Sequence, residues 1–108
     1  IEAAGRELER VRPILSDGAF IELEVDNLDH FRSALALHVD IILLDNMDLP
    51  AIGRAVDLIK GRALIEVSGG VTLATVRDIA ALGPDLISVG ALTHSAPAAN
   101  LSMDLLPQ

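Results

Sequence analysis

Two hydrophobic periodicities alternate along this chain. Apolar residues three and four positions apart predict helices, whereas short apolar or alternating runs predict strands. The strand patterns cover residues 20–25, 41–45, 63–68 and 85–90, and helical spacing lies before and between them. Strands that alternate with helices indicate an α/β fold with a parallel sheet and right-handed crossovers.

Capping and turn residues predict where the helices begin and end. Pro13 ends the first helical pattern, Asn27 suits the N-cap of the second helix, and Pro50 suits the first turn of the third, which Gly61 ends. Thr72 is expected to cap the fourth helix. The helical positions expected to be apolar and buried are Ala4, Leu8, Val11, Leu15, Leu28, Phe31, Leu35, Ile52, Ala55, Val56, Ile59, Leu73, Val76 and Ala80.

The spacing of acidic residues near the strand ends indicates how the units are arranged. Glu24, Asp45 and Glu66 follow one another at intervals of 21 residues. Each interval is close to the minimum for a strand, a helix and two tight turns. Such compact units favour a (β/α) barrel over a doubly wound sheet, although the spacing is compatible with both. We therefore expect parallel (β/α) units that form about half of an incomplete TIM-like α/β barrel.

Composition narrows the class of protein. The 108 residues are 51% hydrophobic, which suits one compact domain. A formal charge of -8 with eight scattered basic residues argues against nucleic acid and anionic membranes as partners. The absence of cysteine excludes disulfides and thiol catalysis, and no apolar run approaches the roughly 20 residues of a membrane span. A soluble, cytoplasmic protein is expected.

The segment IELEVDN, residues 21–27, places its acidic side chains on one face of a strand and its apolar side chains on the other. A solvated sheet surface would explain this alternation. In a barrel, the same face would point inward near the carboxyl ends of the strands, where active sites form. Glu24, Asp45 and Glu66 lie at or near those ends. For Asp45, a turn that needs Asp-Asn for backbone hydrogen bonds is the alternative.

A glycine turn follows the third strand pattern, in the sequence SGGVT at 68–72. Gly69 and Gly70 permit close backbone approach, and a helix N-terminus after them would favour a phosphate group. Two glycines after a strand are also a common tight turn. The small residues Gly90 and Ala91 follow the next strand, and phosphate-binding barrels use the loops after two consecutive late strands. The two turns together therefore predict a phosphate site.

Carboxylates beside a phosphate site indicate a ligand that carries both phosphate and hydroxyl groups. Carboxylates accept hydrogen bonds from ribose diols and hold Mg²⁺, which prefers oxygen ligands and bridges to phosphates. His94 follows the fourth strand pattern and is a further candidate for ligand contact. His30 and His38 lie on or after a helix and are expected at the surface.

Four segments carry a resemblance to a known family: IELEVDNLD, DIILLDNM, GRALIEVSGGVTLATVRDIA and DLISVGALTHSAPAANLSMDL. Together they closely resemble the C-terminal half of quinolinate phosphoribosyltransferase, also called nicotinate-nucleotide pyrophosphorylase (carboxylating). The resemblance implies that residues 1–108 form the C-terminal portion of its α/β-barrel domain. The upstream half of the barrel and an N-terminal sandwich domain would then be absent from this chain.

The resemblance also implies an activity. The family forms nicotinate mononucleotide, carbon dioxide and pyrophosphate from quinolinate and phosphoribosyl pyrophosphate, with Mg²⁺, in de novo NAD biosynthesis, as a homodimer or larger homo-oligomer. By resemblance, Glu24 and Asp45 are expected to be catalytic and to bind the ribose hydroxyls and the metal. The residues expected to bind the phosphoribosyl group and its phosphate are Glu24, Asp45, Ser68, Gly69, Gly70, Gly90, Ala91 and His94.

The distribution of basic residues limits this interpretation. Quinolinate is a dianion and should need Arg and Lys, yet none of the eight basic residues follows a predicted strand at its carboxyl end. In the family these cations come from the upstream half and a neighbouring subunit. Two alternatives remain open: a molybdenum-transport-associated homologue that takes another base, and a non-catalytic half-barrel that associates through its open strand edges.

Overall fold

The computed structural model describes residues 2–14, 18–89 and 105–106 of the 108. Strands and helices alternate as the hydrophobic pattern predicts. The elements in chain order are α1 (Glu2–Val11), a 3₁₀ turn (Arg12–Ile14), β1 (Phe20–Val25), α2 (Leu28–Leu35), β2 (Ile41–Asp45), α3 (Leu49–Ile59), β3 (Leu64–Ser68), α4 (Val76–Ala81), β4 (Leu86–Ile87) and β5 (Leu105–Leu106).

The sheet has the strand order β4-β3-β2-β1-β5. Strands β1 to β4 are parallel, and each is paired with the next one along the chain, whereas β5 is antiparallel to β1. A doubly wound sheet would reverse its strand order at a switch point. The observed order confirms the expected α/β fold of consecutive parallel (β/α) units, as in a segment of a barrel.

The two faces of the sheet have different environments. Side chains of β2 and β3 such as Ile42, Leu44 and Val67 pack in one core with helix residues such as Phe31 and Ile52. Full burial of one such side chain stabilises the fold by about 1.5–3 kcal/mol. We call the opposite face of the sheet the inner face; by strand alternation and register it carries Glu22, Glu24, Ile41, Leu43, Asp45, Leu64, Glu66, Ser68, Leu86 and Ser88.

The caps of the second and third helices follow the sequence prediction. Asn27 Oδ1 accepts a hydrogen bond from the His30 N–H at 2.8 Å, and Pro50 lies in the first turn of α3. The third helix ends at Ile59, and its C-cap Lys60 is left-handed with φ +46°, one residue before Gly61. The polypeptide therefore turns one residue earlier than the glycine suggests.

The buried face of α2 differs in detail from the prediction. Phe31 and Ala34 are fully buried, whereas Leu28 and Leu35 are half-buried. Phe31 and Ala34 are three positions apart, so they share one face of the helix, and this face packs against the sheet.

The prediction that Thr72 caps the fourth helix is wrong. Helix α4 begins at Val76, and the Thr72 N–H instead donates to the Thr75 hydroxyl at 3.1 Å. Local bonds of this kind compete with helix formation. Leu73 is consequently 64% exposed, and Ile79 is the buried residue of this helix.

The fourth strand is also shorter than the predicted 85–90. It pairs with β3 at Leu86 and Ile87. The Ser88 N–H still donates to the Val67 carbonyl at 2.9 Å, so the main chain continues alongside β3 for one more residue. Within the described part of the chain, no helix has the length and apolar character needed to cross a membrane.

Candidate functional site

The carboxyl ends of β1, β2 and β3 bring three of the predicted site residues together on the inner face. Glu24 pairs in register with Leu43, and Asp45 pairs with Ser68. Asp45 therefore lies one side-chain layer beyond Glu24 on the adjacent strand, and neighbouring strands are about 4.8 Å apart. Glu24 is exposed, while Asp45 and Ser68 are half-buried. Both carboxylates can thus face one ligand.

The turn after β2 sets the position of Asp45. Asn46 has a left-handed main chain with φ +56°, and its N–H donates to the Ser68 carbonyl at 2.9 Å. Asparagine tolerates this conformation better than most residues because of its short polar side chain. This bond continues the ladder between β2 and β3, and the left-handed main chain of Asn46 bends the polypeptide immediately after Asp45.

The turn after β3 lies directly against Asp45. Gly69 and Gly70 are left-handed, with φ +80° and +71°. A Cβ at Gly69 would lie 2.6 Å from Asp45 Oδ1 and 2.7 Å from the Asn46 nitrogen, which is closer than real Cβ atoms approach. Gly69 is required both for its conformation and for the close approach of the carboxylate. The glycine turn and the acidic residue form a single structural unit.

The helix N-terminus that was expected behind this turn is not there. Helix α4 begins at Val76, several residues after Gly70, and has only six residues. Any anion bound by the Gly69–Gly70 turn would therefore contact the turn itself, because the first helical N–H groups belong to a later segment.

Sequence reasoning did not single out Ser88. Its hydroxyl donates to Glu66 Oε2 at 3.0 Å on the inner face. The signal that could have identified it is strand alternation, because Ser88 lies two residues after the inward-facing Leu86. Glu22, deeper on the same face, is 4% exposed. The inner face is therefore polar in several layers as well as at its rim.

Three predicted site residues, Gly90, Ala91 and His94, lie outside the described residues. The second half of the expected phosphate site remains a prediction for that reason. The two histidines assigned to the surface, His30 and His38, are exposed as expected.

The carboxylates suit one mode of metal binding. Among residues 2–14, 18–89 and 105–106, no group of three or more His, Asp or Glu side chains is arranged around a common metal position. Mg²⁺ usually keeps several waters and takes one or two protein carboxylates together with substrate phosphates. Glu24 and Asp45 fit that mode, which needs no cage made of protein alone.

None of the basic residues lies in the strands or in the turns directly after them. Arg12 donates to the Leu37 carbonyl at 2.8 Å, and Arg62 donates to the Leu58 carbonyl at 3.0 Å, in both cases near the amino end of the sheet. The other six, Arg6, Arg10, Arg32, Arg54, Lys60 and Arg77, lie on helices or at a helix end. As predicted, no basic residue stands in the segments that directly follow the described strands β1 to β4.

Comparisons with known proteins agree with the motifs. The sequence model of the family described as "Quinolinate phosphoribosyl transferase, C-terminal domain" matches residues 2–104. The probable nicotinate-nucleotide pyrophosphorylase [carboxylating] of Synechocystis sp. is 38% identical over 112 residues, which cover 98% of this chain and 38% of that protein. Quinolinate phosphoribosyltransferase [decarboxylating] 1b of Nicotiana tabacum is 40% identical over 91 residues, covering 76% of this chain and 26% of the relative.

A solved structure supports the same relationship. The nicotinate-nucleotide pyrophosphorylase of Ehrlichia chaffeensis superimposes with a TM-score of 0.75 at 41% identity, over 83% of this chain and 32% of that one. The chain thus spans well under half the length of these relatives.

Proposed function

Because the chain belongs to the quinolinate phosphoribosyltransferase family, we propose that it carries the part of an active site that binds phosphoribosyl pyrophosphate and Mg²⁺. The complete enzyme would transfer the phosphoribosyl group to quinolinate and release pyrophosphate and carbon dioxide, giving nicotinate mononucleotide in NAD biosynthesis. The observation that supports this subsite most directly is the approach of the Asp45 carboxylate to the Gly69 turn, since it joins a ribose-binding group to an anion-binding turn.

The two carboxylates have a defined role in this proposal. Glu24 and Asp45 accept hydrogen bonds from the ribose hydroxyls and orient the sugar. When the bond from ribose C1 to pyrophosphate breaks, positive charge develops on the ring, and the nearby carboxylates stabilise it electrostatically. Bound Mg²⁺ would neutralise charge on the departing pyrophosphate. The main chain of Gly69 and Gly70 approaches the phosphate closely because neither residue has a side chain.

The quinolinate side of the site is proposed to come from elsewhere. The two carboxylates of quinolinate need Arg or Lys side chains to bind them. The basic residues of this chain lie on helices, at a helix end or near the amino end of the sheet. We assign that half to the remainder of the enzyme, including a neighbouring subunit of a cytoplasmic homodimer or larger assembly. The names of the curated relatives favour quinolinate over the base of a molybdenum-transport-associated homologue.

The proposal is tested by ligand-dependent stability. The thermal midpoint of the chain is measured with and without Mg²⁺ and phosphoribosyl pyrophosphate, beside an Asp45→Asn variant. A ligand at 100 times its Kd stabilises the folded state by about 2.7 kcal/mol, which raises the midpoint of a domain of this size by about 10 °C. Asp45→Asn should abolish the rise. Asp57→Asn, which removes an exposed carboxylate on α3, should keep it.

Two results would contradict the proposal. A folded chain whose midpoint does not change with ligand would show that these residues do not form the subsite. A midpoint that depends on protein concentration, without any response to ligand, would favour the half-barrel that acts by association, because oligomers are stabilised by mass action.

A further inference from the structure

The turn that follows β2 packs closely against the turn that follows β3. The two strands stay in register up to the pair Asp45 and Ser68, and the Asn46 N–H then extends the ladder to the Ser68 carbonyl. A Cβ at Gly69 would lie 2.7 Å from the nitrogen of Asn46 and 3.2 Å from its Cα. Asn46 therefore contacts the glycine turn chiefly through its main chain.

The conformation of Asn46 determines where its neighbour lies. Its φ of +56° changes the direction of the chain immediately after Asp45, whose Oδ1 is the atom nearest to a Cβ at Gly69. The Asn46 side chain is exposed and forms no hydrogen bond with the described residues, although its Oδ1 would be 3.4 Å from a Cβ at Gly70. The left-handed main chain, more than the amide group, accounts for the geometry.

We infer that Asn46 is a positioning residue, whose left-handed main chain holds the Asp45 carboxylate against the Gly69–Gly70 turn. The ribose-binding group and the phosphate-binding turn are thereby held as one unit before the ligand arrives. The identity of the ligand rests on the proposed function, whereas the arrangement of the two turns rests on the geometry alone. Glycine should replace Asn46 in this role, and a β-branched residue, which strongly disfavours positive φ, should not.

The test compares Asn46→Gly and Asn46→Val with the unsubstituted chain. Calorimetry gives the Kd of phosphoribosyl pyrophosphate with Mg²⁺, and NMR spectra without ligand report the amide resonances of Gly69 and Gly70. Asn46→Val should move both resonances and weaken binding by about tenfold or more, because a displaced Asp45 carboxylate loses hydrogen bonds to the ligand. Asn46→Gly should stay within about threefold, because glycine adopts positive φ without strain. Asn46→Ala is the milder substitution if the valine variant does not fold.

His38→Val is the matched control. His38 is also exposed and has the same φ of +56°, but it precedes β2 at the amino end of the sheet. Its substitution imposes the same backbone strain far from the proposed site. His38→Val should therefore lower stability to a similar extent and leave the Kd unchanged, which separates positioning from a general loss of stability.

Each other outcome has a defined meaning. Unchanged affinity in Asn46→Val would overturn the inference, and so would an equal loss in Asn46→Gly, because that result would make the amide a direct ligand contact. If the unsubstituted chain does not bind phosphoribosyl pyrophosphate, the proposed function fails. The positioning role of Asn46 is then judged from the NMR spectra alone. It stands if only Asn46→Val moves the Gly69 and Gly70 resonances, and it is refuted if neither Asn46→Val nor Asn46→Gly moves them.

Discussion

Replacing Gly69 by alanine would put a methyl group where the structure has the Asp45 carboxylate. The left-handed conformation at this position, φ +80°, costs an alanine about 1–2 kcal/mol. The new Cβ would also lie 2.6 Å from Asp45 Oδ1 and 2.7 Å from the Asn46 nitrogen. Overpacking of this kind typically costs a further 1–3 kcal/mol or so. We therefore expect Gly69→Ala to lower the free energy of unfolding by about 2–5 kcal/mol.

Two other glycines separate these contributions. Gly61 has φ +77°, and a Cβ added there would have no neighbouring atom within 4 Å. Gly61→Ala should therefore cost only the strain of a left-handed main chain, about 1–2 kcal/mol. Gly70, at φ +71°, would meet only the end of the Asn46 side chain at 3.4 Å and should behave like Gly61. The loss of unfolding free energy should therefore be about equal for Gly61→Ala and Gly70→Ala, and clearly larger for Gly69→Ala.

Urea unfolding followed by circular dichroism measures this series, provided that the slope of free energy against urea stays constant among the variants. In an Asp45→Ala background the extra cost at Gly69 should shrink, since one of the two crowded atoms is gone. A Gly69→Ala variant that loses no more stability than Gly61→Ala would refute the close packing of the glycine turn against Asp45.

Further substitutions test the frame that holds the site. Asp40 Oδ2 accepts a hydrogen bond from the Ile21 N–H of β1 at 2.7 Å, and Asp85 Oδ2 accepts one from a main-chain N–H of β3 at 2.8 Å. Asp40→Ala and Asp85→Ala should each lower the free energy of unfolding by about 1 kcal/mol in urea. A loss of stability in only one of the two variants would contradict an equivalent role for the two carboxylates. Phe31→Ala empties a fully buried position and should cost about 3–5 kcal/mol, measured as the urea midpoint; a cost under about 1 kcal/mol would mean that α2 does not pack as described. Asn27→Ala should cost about 1 kcal/mol and Asn27→Gly only a few tenths, and equal costs would argue against the capping bond.

Much of the fold follows from local rules in the sequence. Asn27 and Pro50 mark helix starts because capping and the fixed φ of proline act within one turn of helix. The four strand patterns were located by periodicity, which reflects burial on one or both faces of a strand. The alternating pattern of β1 correctly placed Glu24, and the continuous apolar run of β2 correctly placed Asp45, near the carboxyl ends of their strands.

Local rules failed to predict the structure where two local hydrogen bonds compete, or where a segment distant in sequence determines the pairing. Thr72 has a side chain suited to an N-cap, but its N–H bonds to the Thr75 hydroxyl, so the helix starts later and Leu73 is exposed. The antiparallel pairing of β5 with β1 joins segments far apart in sequence, and no local pattern specifies such a partner. Strand alternation places Ser88 on the inner face, but its bond to Glu66 depends on the pairing of two strands.

The alternation of strands and helices, the acidic face of the first strand and the presence of a glycine turn could all be read from the residues in order, because each depends on positions a few apart. The contact of Asp45 Oδ1 with Gly69 and the bond from the Asn46 N–H to Ser68 emerged only once the chain was folded. Those contacts require β2 and β3 to pair in one register, and that register is set by how the whole sheet buries its apolar face against the helices.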